Sequence, residues 1–262
     1  CSSAPVTQTK PRPSNVEKYT AKPRPVSTPS GEFNPATVDI ATAEQWLTDA
    51  KSLDPDESTE LLLQAAEVLL REGELARADD VTGELIPPEL TADQALRLAI
   101  IRARVHRGHA EFAQALAQLS EPLVERAVLE APVRRQMQYS QLRASLYEIE
   151  GDHLSAARER IFIDPLLTSS QQPANRESIW ASLMQIPTTV LVKNINSTSN
   201  RDYIGWLELA SIAKDNQNNI DAQVKQRDAW LRNWPQHPAH NALPGGLDKL
   251  NDLIVERADQ VA

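Results

Sequence analysis

Thiols are almost missing from this sequence. Among 262 residues there is one cysteine, Cys1, so no internal disulfide and no cysteine-built zinc site is possible. Glycine is scarce too, at 8 residues. No glycine loop of the kind that cradles phosphates occurs, and Gly245-Gly246 after Pro244 reads as a turn with no strand before it. This excludes dinucleotide binding through such a loop. No run of about 18 apolar residues is present, so the sequence offers no bilayer-spanning helix. A nucleophile elbow G-x-S-x-G is absent. The formal charge is −9, and without a basic surplus the chain lacks the footprint of a nucleic-acid binder. The histidines His106, His109, His153, His237 and His240 include two pairs spaced by three, in "HRGH" and "HPAH". Neither pair brings the further ligands a metal would need, so the residues of both pairs read as ordinary surface histidines and no metal or cofactor is expected.

The residues that are abundant are unevenly placed. Residues 1–32 carry a net charge of +3, which leaves −12 for the rest. Seven of the 18 prolines fall within residues 1–35, and "KPRP" occurs twice, at 10–13 and 22–25. Proline fixes φ and lacks a backbone donor, which disfavours helix and sheet alike. With few apolar side chains to offset the entropy of ordering, residues 1–35 are expected to form a disordered, partly stiff tether. Fully stretched, such a segment reaches roughly 100 Å at about 3.3 Å per residue.

Beyond Asp39 the apolar period becomes helical. The segment "TAEQWLTDAKSL" predicts an isolated helix that caps the stack. "DPDESTELLLQAAEVLLREG" opens with Asp54 as N-cap, Pro55 at N1 and Glu57 at N3. "TADQALRLAIIRARVHRG" pairs Thr91 with Gln94 as a capping box and sets Leu96, Ala99, Ile100 and Ala103 on one stripe. "APVRRQMQYSQLRASLYEIEG" places Tyr139, Leu142, Leu146 and Ile149 on one face. Each of these three segments ends in glycine, and the glycines share a register. Gly73, Gly108 and Gly151 are followed at +5 by Ala78, Ala113 and Ala156, and at +14 by Pro87, Pro122 and Pro165. The spacing predicts a helical hairpin used repeatedly. Glycine would supply a left-handed turn, alanine a close helix approach, and proline the end of the second helix.

This pattern resembles the tetratricopeptide repeat. A fourth unit fits that motif through Trp206, Leu209, Ala210, Ala213, Ala222 and Ala229, with Gln217 at the turn. Between Pro165 and Trp206 the register is lost. There "ESIWASLMQIP" looks helical, and "TTVLVKNINSTSN" is compatible with a short helix or a strand. The expected fold is all-α: a solenoid of tetratricopeptide-like hairpins over residues 36–262 behind the tether. Stacked hairpins bury a continuous core and leave an extended surface suited to binding.

The candidate partner groove comes from repeat register: Arg102, Gln141, Ser145, Glu148 and Lys214, on the first helices of the hairpins. Carboxylates are numerous, but most stand at helical spacing on polar faces. Glu60, Glu67 and Glu74 form one such row, which reads as solvated. Trp180, Tyr203, Trp206, Trp230 and Trp234 read mainly as packing between repeats, with Trp234 at the end of the stack or at a contact beyond it. The segment from Gly245 onward predicts an amphipathic helix bearing Leu247, Leu250, Leu253, Ile254 and Val261.

The stretch "CSSAP" resembles the start of a processed bacterial lipoprotein, in which a cysteine is lipidated; Ser2 is similar to the outer-membrane sorting class. Together with the tether, the repeats and "AWLRNWPQHPAHNALP", the whole chain resembles the N-terminal part of the outer-membrane lipoprotein activators of class A penicillin-binding proteins. The resemblance implies a lipid on Cys1 and a place on the periplasmic side of the outer membrane. It also implies a non-enzymatic role in stimulating the transpeptidase step of a peptidoglycan synthase, without nucleic acid or a small-molecule substrate, by a monomer. In that family a second, C-terminal domain similar to periplasmic solute-binding proteins makes the main synthase contact. The present sequence shows no βαβ alternation, so it is expected to hold the anchor and spacer. Two other readings share the same features: a lipoprotein scaffold of another envelope machine, for outer-membrane protein assembly or pilus biogenesis, and the helical part of a lytic transglycosylase.

Overall fold

The computed structural model describes residues 33–215 and 219–252. Cys1 and most of the expected tether (residues 1–32), Gln217 and the positions of Leu253, Ile254 and Val261 lie outside that range. The described residues contain helices and 3-10 turns but no strand, and none of these helices is long and apolar enough to cross a membrane. The chain divides into two compact units, 33–187 and 188–252.

The first unit runs α1 (Ile40–Asp49), α2 (Pro55–Arg71), α3 (Leu75–Thr82), α4 (Ala92–Gly108), α5 (Phe112–Leu119), α6 (Pro122–Glu130), α7 (Val133–Ile149), α8 (His153–Ile163) and α9 (Gln172–Met184). The helix starts are chemical. The Asp54 carboxylate accepts from the Asp56 and Glu57 amides, with Pro55 in the first turn. Thr91 and Gln94 form the reciprocal capping box at the head of α4. Hairpins α2–α3, α4–α5 and α7–α8 pack antiparallel, and α2, α4 and α7 lie side by side. Two clusters fill the spaces between them. One is built on Leu63, Leu69, Leu98 and Ile101; the other is built on Leu96, Leu119, Tyr139, Leu142 and Leu146. Each fully buried Leu or Ile contributes about 1.5–3 kcal/mol. The stack therefore holds by repeated apolar seams.

The repeat register differs from the glycine spacing at one hairpin. Gly73 and Gly151 are left-handed, at φ 83° and 78°, and each precedes the N-cap of the next helix, Glu74 and Asp152. In the middle hairpin Gly108 is helical, and Ala110, at φ 60°, takes the left-handed place before the N-cap Glu111. Counting five from the left-handed residue then gives Ala78, Ala115 and Ala156, all fully buried, whereas Ala113 is exposed. Gly108 serves packing instead: a Cβ there would come within 2.3 Å of Leu75 Cδ1. Pro122 follows the end of α5 at Leu119 as expected and also begins α6, at the position where a missing N–H costs nothing. Pro87 and Pro165 do lie in 3-10 turns just beyond α3 and α8.

The second unit holds α10 (Thr188–Ile195), α11 (Arg201–Asp215) and α12 (Ile220–Asn233), followed by a turn-rich segment. The ambiguous "TTVLVKNI" is thus helix. Here the core is aromatic. His237, 5% exposed, meets Trp206, Trp230 and Trp234 edge-on at centroid distances of 5.3, 5.0 and 6.1 Å. It is a core residue, not a surface one. The Ala239 amide donates to Nδ1 at 3.1 Å, which places the ring proton on Nε2, 2.9 Å from the Asp202 carbonyl it can donate to. The ring lies against Gly205 in α11, and Trp230 Nε1 donates to the Gly205 carbonyl at 2.9 Å.

Candidate functional site

The most organised polar surface in the first unit spans α2, α4 and α7. From α4, Arg97 donates through Nη1 to both carboxylate oxygens of Glu60, at 2.6 and 2.7 Å, and through Nε to Glu67 at 3.0 Å. From α7, Arg135 reaches the same Glu67 oxygen at 3.2 Å and lies 3.8 Å from Asp93. Glu67, with 10% of its side chain exposed, therefore bridges two guanidiniums from different repeats. Of the row Glu60, Glu67 and Glu74, Glu67 is covered by arginines of the two following hairpins and Glu60 is partly covered by Arg97, whereas Glu74 is exposed as expected.

Electrostatics reflect this packing. Burial pushes the Glu60 carboxyl up, but hydrogen bonds and charge from Arg97, with Gln64 and Arg135, outweigh it and hold the group below its ordinary value. Burial likewise works against the Arg97 cation, and Glu67 and Glu60 more than restore it. Two buried donors, Arg97 Nη2 and Arg135 Nε, find no hydrogen-bond acceptor among the described residues. At the edge of the face Arg134 Nη1 donates to the Phe33 carbonyl at 3.0 Å and Nη2 to Asn34 Oδ1 at 2.9 Å. Arg71 also donates to the Pro35 carbonyl, and Phe33 packs edge-on against Trp46 at 5.7 Å. The chain entering the body is thus seated on it by arginines and an aromatic pair.

The five register-derived groove residues occupy several environments. Arg102 donates to the carbonyls of Thr82, at 2.7 Å, and Leu85, at 3.0 Å, so it caps the end of α3. Gln141 is exposed, and the Ser145 hydroxyl donates to the Leu142 carbonyl at 2.8 Å. Glu148 accepts twice from Arg160, at 2.7 and 3.0 Å. It lines a cleft of about 370 Å³ with His153, Ser178, Ala181, Ser182 and Gln185. Lys214 belongs to α11 in the second unit. The charged lattice of Glu60, Glu67, Arg97 and Arg135 shares no residue with that register-derived set. A signal for it does exist in the sequence: Arg97 and Arg104 repeat the seven-residue spacing of Glu60 and Glu67, one hairpin later.

Chemically, this surface is a set of ion pairs that tie three helices together. Its carboxylates are acceptors for arginine, and no group of three His, Cys, Asp or Glu residues that could hold a metal occurs among the described residues.

The family model described as "LppC putative lipoprotein" matches residues 37–262. The Penicillin-binding protein activator LpoA of Photobacterium profundum is 29% identical over 226 residues, covering 84% of this chain and 35% of that protein. Its namesake in Edwardsiella ictaluri is 30% identical over 234 residues, covering 85% and 32%. The chain therefore spans about a third of the length of these curated relatives. Among solved structures, full-length LpoA from Haemophilus influenzae superposes with a TM-score of 0.54 at 25% identity, over 79% of this chain and 37% of that one. The amino-terminal domain of LpoA from E. coli matches with a TM-score of 0.56 over 91% of this chain and 97% of that domain, and at 19% identity it supports the fold alone.

Proposed function

Because the chain belongs to the LppC lipoprotein family, we propose that it is the helical anchor and spacer of a lipoprotein that activates a class A penicillin-binding protein at its transpeptidase step. The observation that carries this reading is the family match across the helical body, joined to relatives that are named activators of a penicillin-binding protein. The chain acts by binding and holding, as stacked hairpins do. Cys1 is the single thiol, so a thioether-linked lipid has one residue to join. Several acyl chains there would hold the protein to the outer membrane on its periplasmic side, at about 0.8 kcal/mol per buried CH₂. The arginine contacts to Phe33, Asn34 and Pro35 fix where the tether leaves the body, so a load on the tether is passed to α2 and α7.

The test is a pull-down from a membrane extract with this chain and with a longer version, and mass spectrometry of the N-terminal peptide from membrane-purified protein. Recovery of a class A synthase with the longer version and an acylated Cys1 peptide are expected. Recovery of an outer-membrane assembly or pilus complex without any synthase, or an unmodified Cys1 from the native host, would overturn the reading.

A further inference from the structure

The face formed by α2, α4 and α7 carries more arginines than carboxylates. Arg97 sits between Glu60 and Glu67. Arg104 is the next residue of the same α4 row, seven positions on. In register with it, α2 would have to supply residue 74, but α2 ends at Arg71 and Glu74 stands in the turn into α3. No hydrogen bond or ion pair joins Arg104 to another described residue, although its side chain is partly buried. Burial lowers its pKa; Glu67 opposes this, and the like charges of Arg135, Arg107 and Arg134 add to the lowering. A guanidinium stays charged regardless. Five arginines, Arg97, Arg104, Arg107, Arg134 and Arg135, thus gather near three carboxylates, Glu60, Glu67 and Asp93. This local positive surplus stands in a chain of net charge −9.

Two features say what kind of anion fits. The arginines of this face that have acidic partners pair with carboxylates, Arg97 with both oxygens of Glu60 and Arg135 with Glu67. Beside them Arg134 already grips an extended piece of backbone, through the Phe33 carbonyl and the Asn34 side chain. We propose that the patch formed by Arg104, Arg107, Arg134 and Arg135 binds an extended acidic peptide, with a carboxylate of that peptide completing the row at Arg104. The site goes beyond the activator reading and would stand if the partner were a different envelope protein.

The test uses the full chain and a fluorescein-labelled octaglutamate peptide, read by anisotropy at two salt concentrations, with octalysine as control. Binding is expected for octaglutamate alone. It should weaken as salt rises and fall at least tenfold in Arg104→Met, which keeps the bulk and removes the charge. Arg107→Gln, at an exposed residue, should weaken it less. Octaglutamate should also raise the melting temperature of the wild-type chain and leave that of Arg104→Met unmoved. Equal affinity in wild type and Arg104→Met, or equal binding of octalysine, would overturn the proposal. So would charge-dependent binding to vesicles of anionic lipid that Arg104→Met abolishes while binding of octaglutamate is unchanged, since the patch would then be a membrane contact.

Discussion

Arg143 Nε lies 3.0 Å from Glu159 Oε1, and the two side chains are 2% and 0% exposed. This pair joins α7 to α8 inside the last full hairpin of the first unit. Around it the Arg143 guanidinium also reaches the hydroxyls of Tyr139 and Tyr147 and the Glu125 carboxylate. Removing one member of a buried pair strands the other charge. Arg143 would keep only the partly exposed Glu125 as an acidic partner, so Glu159→Leu should destabilise the chain by about 3 kcal/mol in urea unfolding, the low end for a broken buried pair. Adding Arg143→Met should restore part of the loss, although each change alone removes a favourable contact. A Glu159→Leu cost below about 1 kcal/mol would mean that the two charges do not depend on each other.

The left-handed residues give a paired prediction of opposite sign. Ala110 adopts φ 60° where its counterparts are Gly73 and Gly151, and a side chain there is unfavourable by about 1 kcal/mol. Ala110→Gly should raise stability by up to about 1 kcal/mol, and Gly151→Ala should lower it by a similar amount, since only strain and not space is at issue there. Thermal melts of the two variants check both signs.

Much of the hairpin plan is written in local chemistry. Asp54, Pro55, Thr91 and Gln94 act within a few residues of themselves, and they do in the structure what their types and spacing imply. The slipped register at Gly108 shows where that legibility ends. A glycine needed for close packing against Leu75 and a glycine needed for a positive φ are the same letter, and an alanine forced into the left-handed region carries no mark at all. The Glu60–Glu67 row fails to announce itself for a related reason. A stripe of carboxylates at helical spacing reads the same whether it faces water or the arginines of the next repeat, and only the stacking of hairpins decides. His237 is core because three tryptophans close around it, a long-range outcome that "HPAH" cannot state.

That aromatic lock makes its own prediction. A Cβ on Gly205 would stand 2.5 Å from His237 Cδ2. Gly205→Ala should push the ring off the helix and cost about 1–3 kcal/mol, despite the better helix propensity of alanine. Tryptophan fluorescence should shift in the same variant, because Trp206 and Trp230 both pack on that ring.

The charged lattice should be sensitive to acid. Its Arg97 partner holds the Glu60 carboxyl below the ordinary glutamate value, against the opposing effect of burial. A carboxyl whose folded pKa is depressed adds stability above its unfolded value and loses it as pH falls through the folded one. Wild type should therefore exceed Glu60→Gln in stability at a pH of about 6. The gap should be modest, about 1 kcal/mol or less, because Glu60 is 41% exposed. It should close as the pH drops below about 4.3, the ordinary glutamate value. Urea midpoints of the two proteins on either side of that value measure it, and a gap that widens toward acid would contradict the assigned ion pair.

The spacer role is tested most directly by separating reach from contact. Residues 33–252 would be deleted from a longer, lipid-anchored version of the protein. Cross-linking of peptidoglycan by a class A synthase would then be measured both in cells and with purified components in solution. A spacer predicts that cross-linking in cells falls to the level without activator, while stimulation in solution is retained. Equal loss in both settings would contradict it, because the helical body would then be touching the synthase and not merely delivering another domain to it.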